Sequence, residues 1–182
     1  MTESHPFLLL RMRTAADEAA APKYAHTETE RRWLVDPARV DALEAVEPIA
    51  ILDRYIEGTR LRLRQMRRGE QVAWKLTKKY ECADPLVRPI VTAYLTNDEY
   101  EVFAGLAALT LTKTRFRLSH GGHDFSFDRF SGALDGLFLV ELELEDEGVL
   151  RALPNPPWTV RDITDEAVYQ GATLARRGRP TE

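Results

Sequence analysis

From Thr27 onward the chain alternates polar and apolar positions with period two, in short runs separated by turn residues. Such alternation sends neighbouring side chains to opposite faces of a strand. The runs are Thr27–Asp36, Ile49–Glu57, Thr59–Arg67, Gln71–Lys79, Leu86–Leu95, Leu109–Ser119, Asp124–Ser131 and Leu137–Glu145, many of them rich in β-branched and aromatic residues. Gly58 and the Arg68-Gly69-Glu70 turn punctuate them. Helical spacing is rarer. Tyr100, Phe103 and Leu106 predict a helix over Asn97–Leu106, capped by Thr96 or Asn97. Further short helices are expected within Pro37–Glu47 (Val40, Leu43, Val46), at Asp146–Leu153 before the Pro154–Pro157 cluster, and at Asp165–Arg177 with Thr164 or Asp165 as cap. About eight closely spaced strands with few helices between them predict a mainly β (α+β) fold, an eight-stranded antiparallel barrel with helices outside. Residues 1–25 lack convincing periodicity and read as a loosely ordered extension with a short helix near Ala15–Ala21; residues 26–178 form the domain.

The alternation also sorts charge. In Thr27–Asp36, Glu28, Glu30 and Arg32 share one face and Trp33 and Val35 the other. Arg60, Arg62 and Arg64 line one side of the next basic run, Lys75, Thr77 and Lys79 one side of another, and Lys113 and Arg115 are in phase. Glu141, Glu143 and Glu145 alternate with Leu142 and Leu144, while Ser126 and Asp128 oppose Phe127 and Arg129. A solvated outer face accounts for any one such strand. It accounts poorly for the segregation, because solvent faces intersperse signs. A barrel with apolar residues outward and a charged bore fits better, its basic walls suited to phosphate and its acidic wall to a divalent metal.

Length and composition narrow the classes. The 182 residues, 44% apolar and 30% charged, suffice for one core and one domain. A net charge of −4 argues against an electrostatically driven nucleic-acid binder. The single cysteine, Cys82, excludes an internal disulfide and a cysteine-based zinc site, and is expected to be buried or half-buried in a reducing cytoplasm. The short apolar run Phe7–Leu10 within His5–Arg13 is too brief for a signal sequence, and no stretch approaches the roughly 18 apolar residues of a membrane span. A cytoplasmic protein without membrane or nucleic-acid partners is expected, with a homodimer left open. His120-Gly121-Gly122-His123 reads as a hairpin turn rather than a metal clip. Trp33, Trp74 and Trp158 read as packing residues rather than base-stacking platforms.

In order along the chain, these pieces resemble the CYTH domains, also called triphosphate tunnel metalloenzymes. They comprise Glu28-Thr29-Glu30-Arg31-Arg32 for an ExExK signature, the Arg-x-Arg strand, Thr77-x-Lys79, Lys113-Thr114-Arg115, Phe127-Asp128-Arg129-Phe130-x-Gly132, Glu141-Leu142-Glu143-Leu144 and Asp162-Ile163-Thr164. The resemblance covers about Thr27–Ala175. It implies an eight-stranded tunnel acting on triphosphates with Mg²⁺ or Mn²⁺. Glu28, Glu30, Glu141 and Glu143 would be metal-site acids, and Asp128 would position a metal or the attacking water. Arg62, Arg64, Lys79, Lys113 and Arg115 would grip phosphate oxygens, joined through shared register by Arg32, Arg60 and Lys75. Asp128, Glu30 and Arg32 would carry catalysis. Two departures stand out. Arg32 replaces the signature lysine, and the strand Leu86–Leu95 carries Val91, Thr92 and Tyr94 where many relatives carry acids. The expected activity is triphosphate hydrolysis, with inorganic tripolyphosphate leading. The alternatives are a nucleoside or thiamine triphosphatase, a class IV-type adenylate cyclase, or a polyphosphate- or nucleotide-binding module without turnover.

Overall fold

The structure is a computed structural model and describes residues 24–40, 43 and 47–181. Period-two alternation folds as strands throughout: β1 (His26–Val35), β2 (Ile49–Ile56), β3 (Leu61–Arg68), β4 (Gln71–Lys79), β5 (Val87–Leu95), β6 (Ala108–His120), β7 (His123–Ser131), β8 (Phe138–Glu143) and β9 (Thr159–Asp162). Gly69 closes the β3–β4 hairpin at φ +53°, a left-handed conformation that an L side chain resists. The strand order is β5-β4-β3-β2-β6-β7-β8-β1, and β1 also pairs with β5, so eight strands close into a barrel. All the pairings are antiparallel. Strand β1 pairs with β8 over residues 30–34, with β5 over 26–29, and with the short β9 over 33–35.

Among the described residues three α-helices accompany the barrel: α1 (Asn97–Ala104), α2 (Glu147–Ala152) and α3 (Gly171–Arg177). Thr96 opens α1 through a capping box. Its hydroxyl accepts from the Glu99 amide, and the Glu99 carboxylate accepts from the Thr96 amide at 2.7 Å. Asp146 caps α2 by accepting from the Val149 amide at 3.0 Å.

Three expectations need revision. The final helix is split, with a 3₁₀ turn at Ala167–Tyr169 and α3 starting only after Gln170. Thr164 therefore caps nothing; its hydroxyl accepts from the Arg32 amide at 3.0 Å and donates to Asp162 at 2.6 Å. Strand β9 was not anticipated, because the proline cluster just before it masks so short a run. Cys82 is exposed. Within Pro37–Glu47 the structure has a 3₁₀ turn at Pro37–Arg39, with residues 41–42 and 44–46 outside the described residues. The N-terminal extension and its short helix also lie outside them, apart from Tyr24 and Ala25.

Apolar side chains pack on two sides of the wall. Trp33, Val35, Phe116, Phe125, Phe127, Phe138, Val140 and Leu142 form the outer cluster, which Leu150 of α2 completes. Leu34, Leu111, Phe130 and Leu139 meet Leu134, Leu137, Ile163, Tyr169 and Leu174 in a second cluster. Of these, Leu111, Phe130, Leu139, Tyr169 and Leu174 line the cavity inside the barrel. So apolar residues do not all point outward, as the sequence suggests. One end of the bore is filled by them, and the C-terminal segment closes over that end. Tyr55 belongs to this contact. A Cβ on Gly171 would overlap the Tyr55 hydroxyl and lie 2.9 Å from Tyr55 Cζ. Gly171→Ala should therefore destabilise the fold by about 1–3 kcal/mol through overpacking. Thermal unfolding reads this directly, and an unchanged Tm would mean that Tyr55 swings aside freely.

Candidate active site

The barrel encloses a cavity of about 1020 Å³. Inward positions of every strand except β7 and β9 put charge on its wall: Glu28, Glu30 and Arg32 from β1; Asp53 from β2; Arg62 and Arg64 from β3, with Arg60 just before it; Lys75 and Lys79 from β4; Arg88 from β5; Lys113, Arg115 and Arg117 from β6; Glu141 and Glu143 from β8. Among the described residues, eleven lysines and arginines line it against seven carboxylates, in a chain whose net charge is −4. The bore is thus electropositive inside an acidic protein. Around the ring, β3 stands across from the acidic pair β1 and β8.

Cross-strand register sets the ion pairs. Asp53 faces Arg64 between β2 and β3, and the pair is bidentate at 2.6 and 2.7 Å with the carboxylate 1% exposed. Burial alone would raise the Asp53 pKa, but Arg64 and then Arg62 hold its carboxyl far below the usual range. Arg62 Nε is 3.7 Å from Asp53 and is buried without a hydrogen-bond acceptor. Asp128 faces Arg115 between β6 and β7 in a second bidentate pair at 2.7 and 2.6 Å. Lys113 also donates to Asp128, and Arg115 to Glu141. Lys79 donates to Glu28, and Arg60 at one mouth pairs with Glu81 at 3.4 Å. Lys75 Nζ lies 4.8 Å from the ring of Tyr94, which is 74% exposed.

The carboxylates differ in kind. Burial raises Glu30, and the neighbouring Glu141 and Glu28 add to it, pushing its pKa up to about 7. Its ion pair with Arg32 is long, at 3.5 Å. Arg32 Nη1 donates instead to the Tyr169 carbonyl at 3.2 Å. Burial would also raise Glu141, but Arg115 and then Lys113 keep it ionised, well below its ordinary value. Glu143 is raised by partial burial and by Glu28. Four oxygen donors on two adjacent strands suit a hard divalent cation. Glu30 in particular is a carboxyl whose ionised form needs added positive charge. Among the described residues, however, no three acids stand within ligating distance of one point. Glu28 is drawn to Lys79 and Glu141 to Arg115.

Most of the residues singled out from sequence therefore share one cavity: Glu28, Glu30, Arg32, Arg60, Arg62, Arg64, Lys75, Lys79, Lys113, Arg115, Glu141 and Glu143. Asp128 does not. It is fully buried behind the lining, and both of its oxygens accept from Arg115 and Lys113. Its position is that of an anchor for two cations rather than of a group open to metal or water. Sequence reasoning missed Arg88, Arg117 and Tyr55, and the alternation within Ile49–Glu57 alone does not decide whether Asp53 or Arg54 faces the bore. The structure turns Arg54 outward, donating to the Ala104 carbonyl at 2.7 Å. Strict period two from Arg62 across the β2–β3 pairing would have selected Asp53. His120 and His123 pair across a hairpin turn, and the three tryptophans lie outside the cavity lining.

Two outcomes follow. Asp128→Asn leaves Lys113 and Arg115 buried without their counter-charge and should cost about 3–5 kcal/mol in urea unfolding; a loss below 1 kcal/mol would show that Glu141 alone suffices. Glu30 supplies a pH dependence. The folded state keeps its proton up to about pH 7, whereas the unfolded chain releases it near its ordinary value of 4.5, so folding stability falls as pH rises between the two. From pH 5 to 8 the wild type should lose about 1–3 kcal/mol relative to Glu30→Gln, and parallel curves would rule the shift out.

No protein-family model matches the chain. An inorganic triphosphatase of Acetivibrio thermocellus is 29% identical over 66 residues, a match covering 36% of this chain and 41% of that protein. The chain thus matches less than half the length of that curated relative. Among solved structures, one of an inorganic triphosphatase is similar with a TM-score of 0.55 and 22% identity, over 84% of this chain and 97% of that one. A Pyrococcus horikoshii protein is similar with a TM-score of 0.51 and 18% identity, over 68% of this chain and 82% of that one. The closed barrel and these likenesses agree on the architecture: in fold, this chain is similar to the solved structure of an inorganic triphosphatase, an eight-stranded antiparallel barrel with few helices.

Proposed function

We propose that this chain is a divalent-metal-dependent hydrolase of triphosphates, with inorganic tripolyphosphate as its leading substrate. The observation that carries the reading is an electropositive bore in which basic strands face a wall of four glutamates. The triphosphatase named among its relatives supports it. Arg62, Arg64, Lys79, Lys113 and Arg115 bind the phosphate oxygens, and Arg32, Arg60 and Lys75 extend that surface toward its ends. Lys79 is held by Glu28 until a polyanion draws it across, and Arg115, fixed by Asp128, shares with Glu141 an amino group that a polyanion can take over. That exchange frees carboxylate oxygens on the opposite wall. Glu28, Glu30, Glu141 and Glu143 would then hold Mg²⁺ or Mn²⁺, which supplies charge neutralisation and activation of water when bound.

Hydrolysis forms one bond from water oxygen to the terminal phosphorus and breaks one phosphoanhydride bond, releasing phosphate and diphosphate. Little covalent help is needed, so positioning and charge neutralisation carry the rate. Glu30, the acid that titrates near neutrality, takes the water proton on its carboxylate. Glu141 stays ionised. Asp128 acts through Arg115 and Lys113 rather than on the reacting atoms.

A binding module without turnover has one observation in its favour. The inward row of β5 is Arg88, Ile90, Thr92 and Tyr94 and contributes no acid to the bore. Phosphate release separates the two. With Mg²⁺ or Mn²⁺, tripolyphosphate should be cleaved and ATP more slowly, chelator should abolish release, and Glu30→Gln and Glu143→Gln should each lose at least about a hundredfold in kcat. Metal-dependent triphosphate binding without release would favour the module, and absence of binding would dismiss both.

A further inference from the structure

Strand β5 brings a base into the bore where the sequence drew attention only to a missing acid. Arg88 stands opposite Glu28 in the β1–β5 register, yet Glu28 accepts from Lys79 instead. Among the described residues, the Arg88 side chain makes a single hydrogen bond, a long one of 3.4 Å from Nη1 to Gln170 Oε1. Its Nε is buried with no acceptor, and among the described residues no carboxylate pairs with it. A guanidinium cannot relieve this by losing its proton. A half-buried cation whose Nε is buried without an acceptor and which has no counter-ion is costly, and an anion arriving in the cavity would offset that cost. The place is specific. Gln170 leads directly into α3, and Tyr169, Gly171 and Leu174 beside it form part of the closed, apolar end of the barrel. With its oxygen turned to Arg88, the Gln170 amide keeps two N–H donors for a further acceptor.

We propose that Arg88, with Gln170 beside it, is a specificity-determining phosphate residue that receives the unsubstituted terminal phosphoryl group at the closed end of the cavity. A substrate then needs one free phosphate terminus. Any organic substituent lies toward the other mouth, where Lys75 and the exposed Tyr94 ring stand. Inorganic polyphosphates and nucleoside triphosphates satisfy this requirement; a triphosphate esterified at both ends does not. The inference rests on the triphosphate reading above and adds an orientation to it.

The test is calorimetric binding of tripolyphosphate, ATP and diadenosine triphosphate with Mg²⁺, together with kcat and KM for tripolyphosphate, on wild type, Arg88→Gln, Arg88→Lys and Gln170→Ala. Wild type should bind the first two and exclude the third. Arg88→Gln should weaken tripolyphosphate binding about tenfold or more, chiefly in KM, with Arg88→Lys recovering part and Gln170→Ala losing less. If Arg88→Gln fails to fold, Arg88→Lys against wild type decides: an unchanged KM overturns the assignment. Undiminished binding by a folded Arg88→Gln, or tight binding of diadenosine triphosphate, also overturns it while leaving the triphosphate reading intact. Failure of wild type to bind any triphosphate overturns both.

Discussion

A carboxylate fully buried in the wall of a closed barrel stays ionised only if a cation pairs with it. Two carboxylates meet that condition. Asp53 and Asp128 are both buried, and each is chelated by the arginine directly across from it on the neighbouring strand. Removing either partner of such a pair strands a charge in low dielectric. Because the partners sit in register, a slip of one residue in β2–β3 or in β6–β7 would separate the pair held there and turn its basic row out of the bore. The interaction that neutralises the interior therefore also fixes which way the strands face.

The same pairing divides the cations by task. Arg64 and Arg115 are held rigidly by aspartates from behind, which preorganises them toward the cavity. Lys79 meets its glutamate across the bore-facing surface and can exchange it for a ligand. The acids divide in parallel. Glu141 sits against Arg115 and stays ionised, whereas Glu30, raised first by burial and then by the neighbouring carboxyls, holds a proton near neutral pH. One wall thus offers a permanent anion and a titratable one two strand positions apart.

The barrel was legible in the sequence because period-two alternation survives in every long strand, and the sorting of Arg/Lys strands from Glu strands located the bore. What escaped depends on partners distant in the chain. Asp128 shares its phase with inward residues, so sequence placed it at the reaction, but two cations from β6 consume its oxygens. Leu34, Leu111 and Leu139 share the phase of Arg32, Lys113 and Glu141, and nothing local says that the bore turns apolar at one end. Arg88 stands beside Pro89, a residue poorly suited to a central strand, and the pairing of β5 with β1 that brings it inward joins segments some sixty residues apart. The split of the last helix follows from Tyr169 being drawn into the apolar end, a tertiary preference that overrides helical spacing.

The outer cover of the barrel is unequal. Among the described residues, the large aromatic cluster backs β1, β6, β7, β8 and the start of β5 at Val87, whereas β3, β4 and the rest of β5 are covered by α1, through contacts such as Trp74 on Tyr100. Local opening is cheapest where least apolar surface is buried. On the packing of the described residues, the half backed by the cluster is the stiffer and the half under α1 the more compliant. The compliant half carries much of the basic row, so the cations can close on anions of different girth while the acidic wall holds its shape.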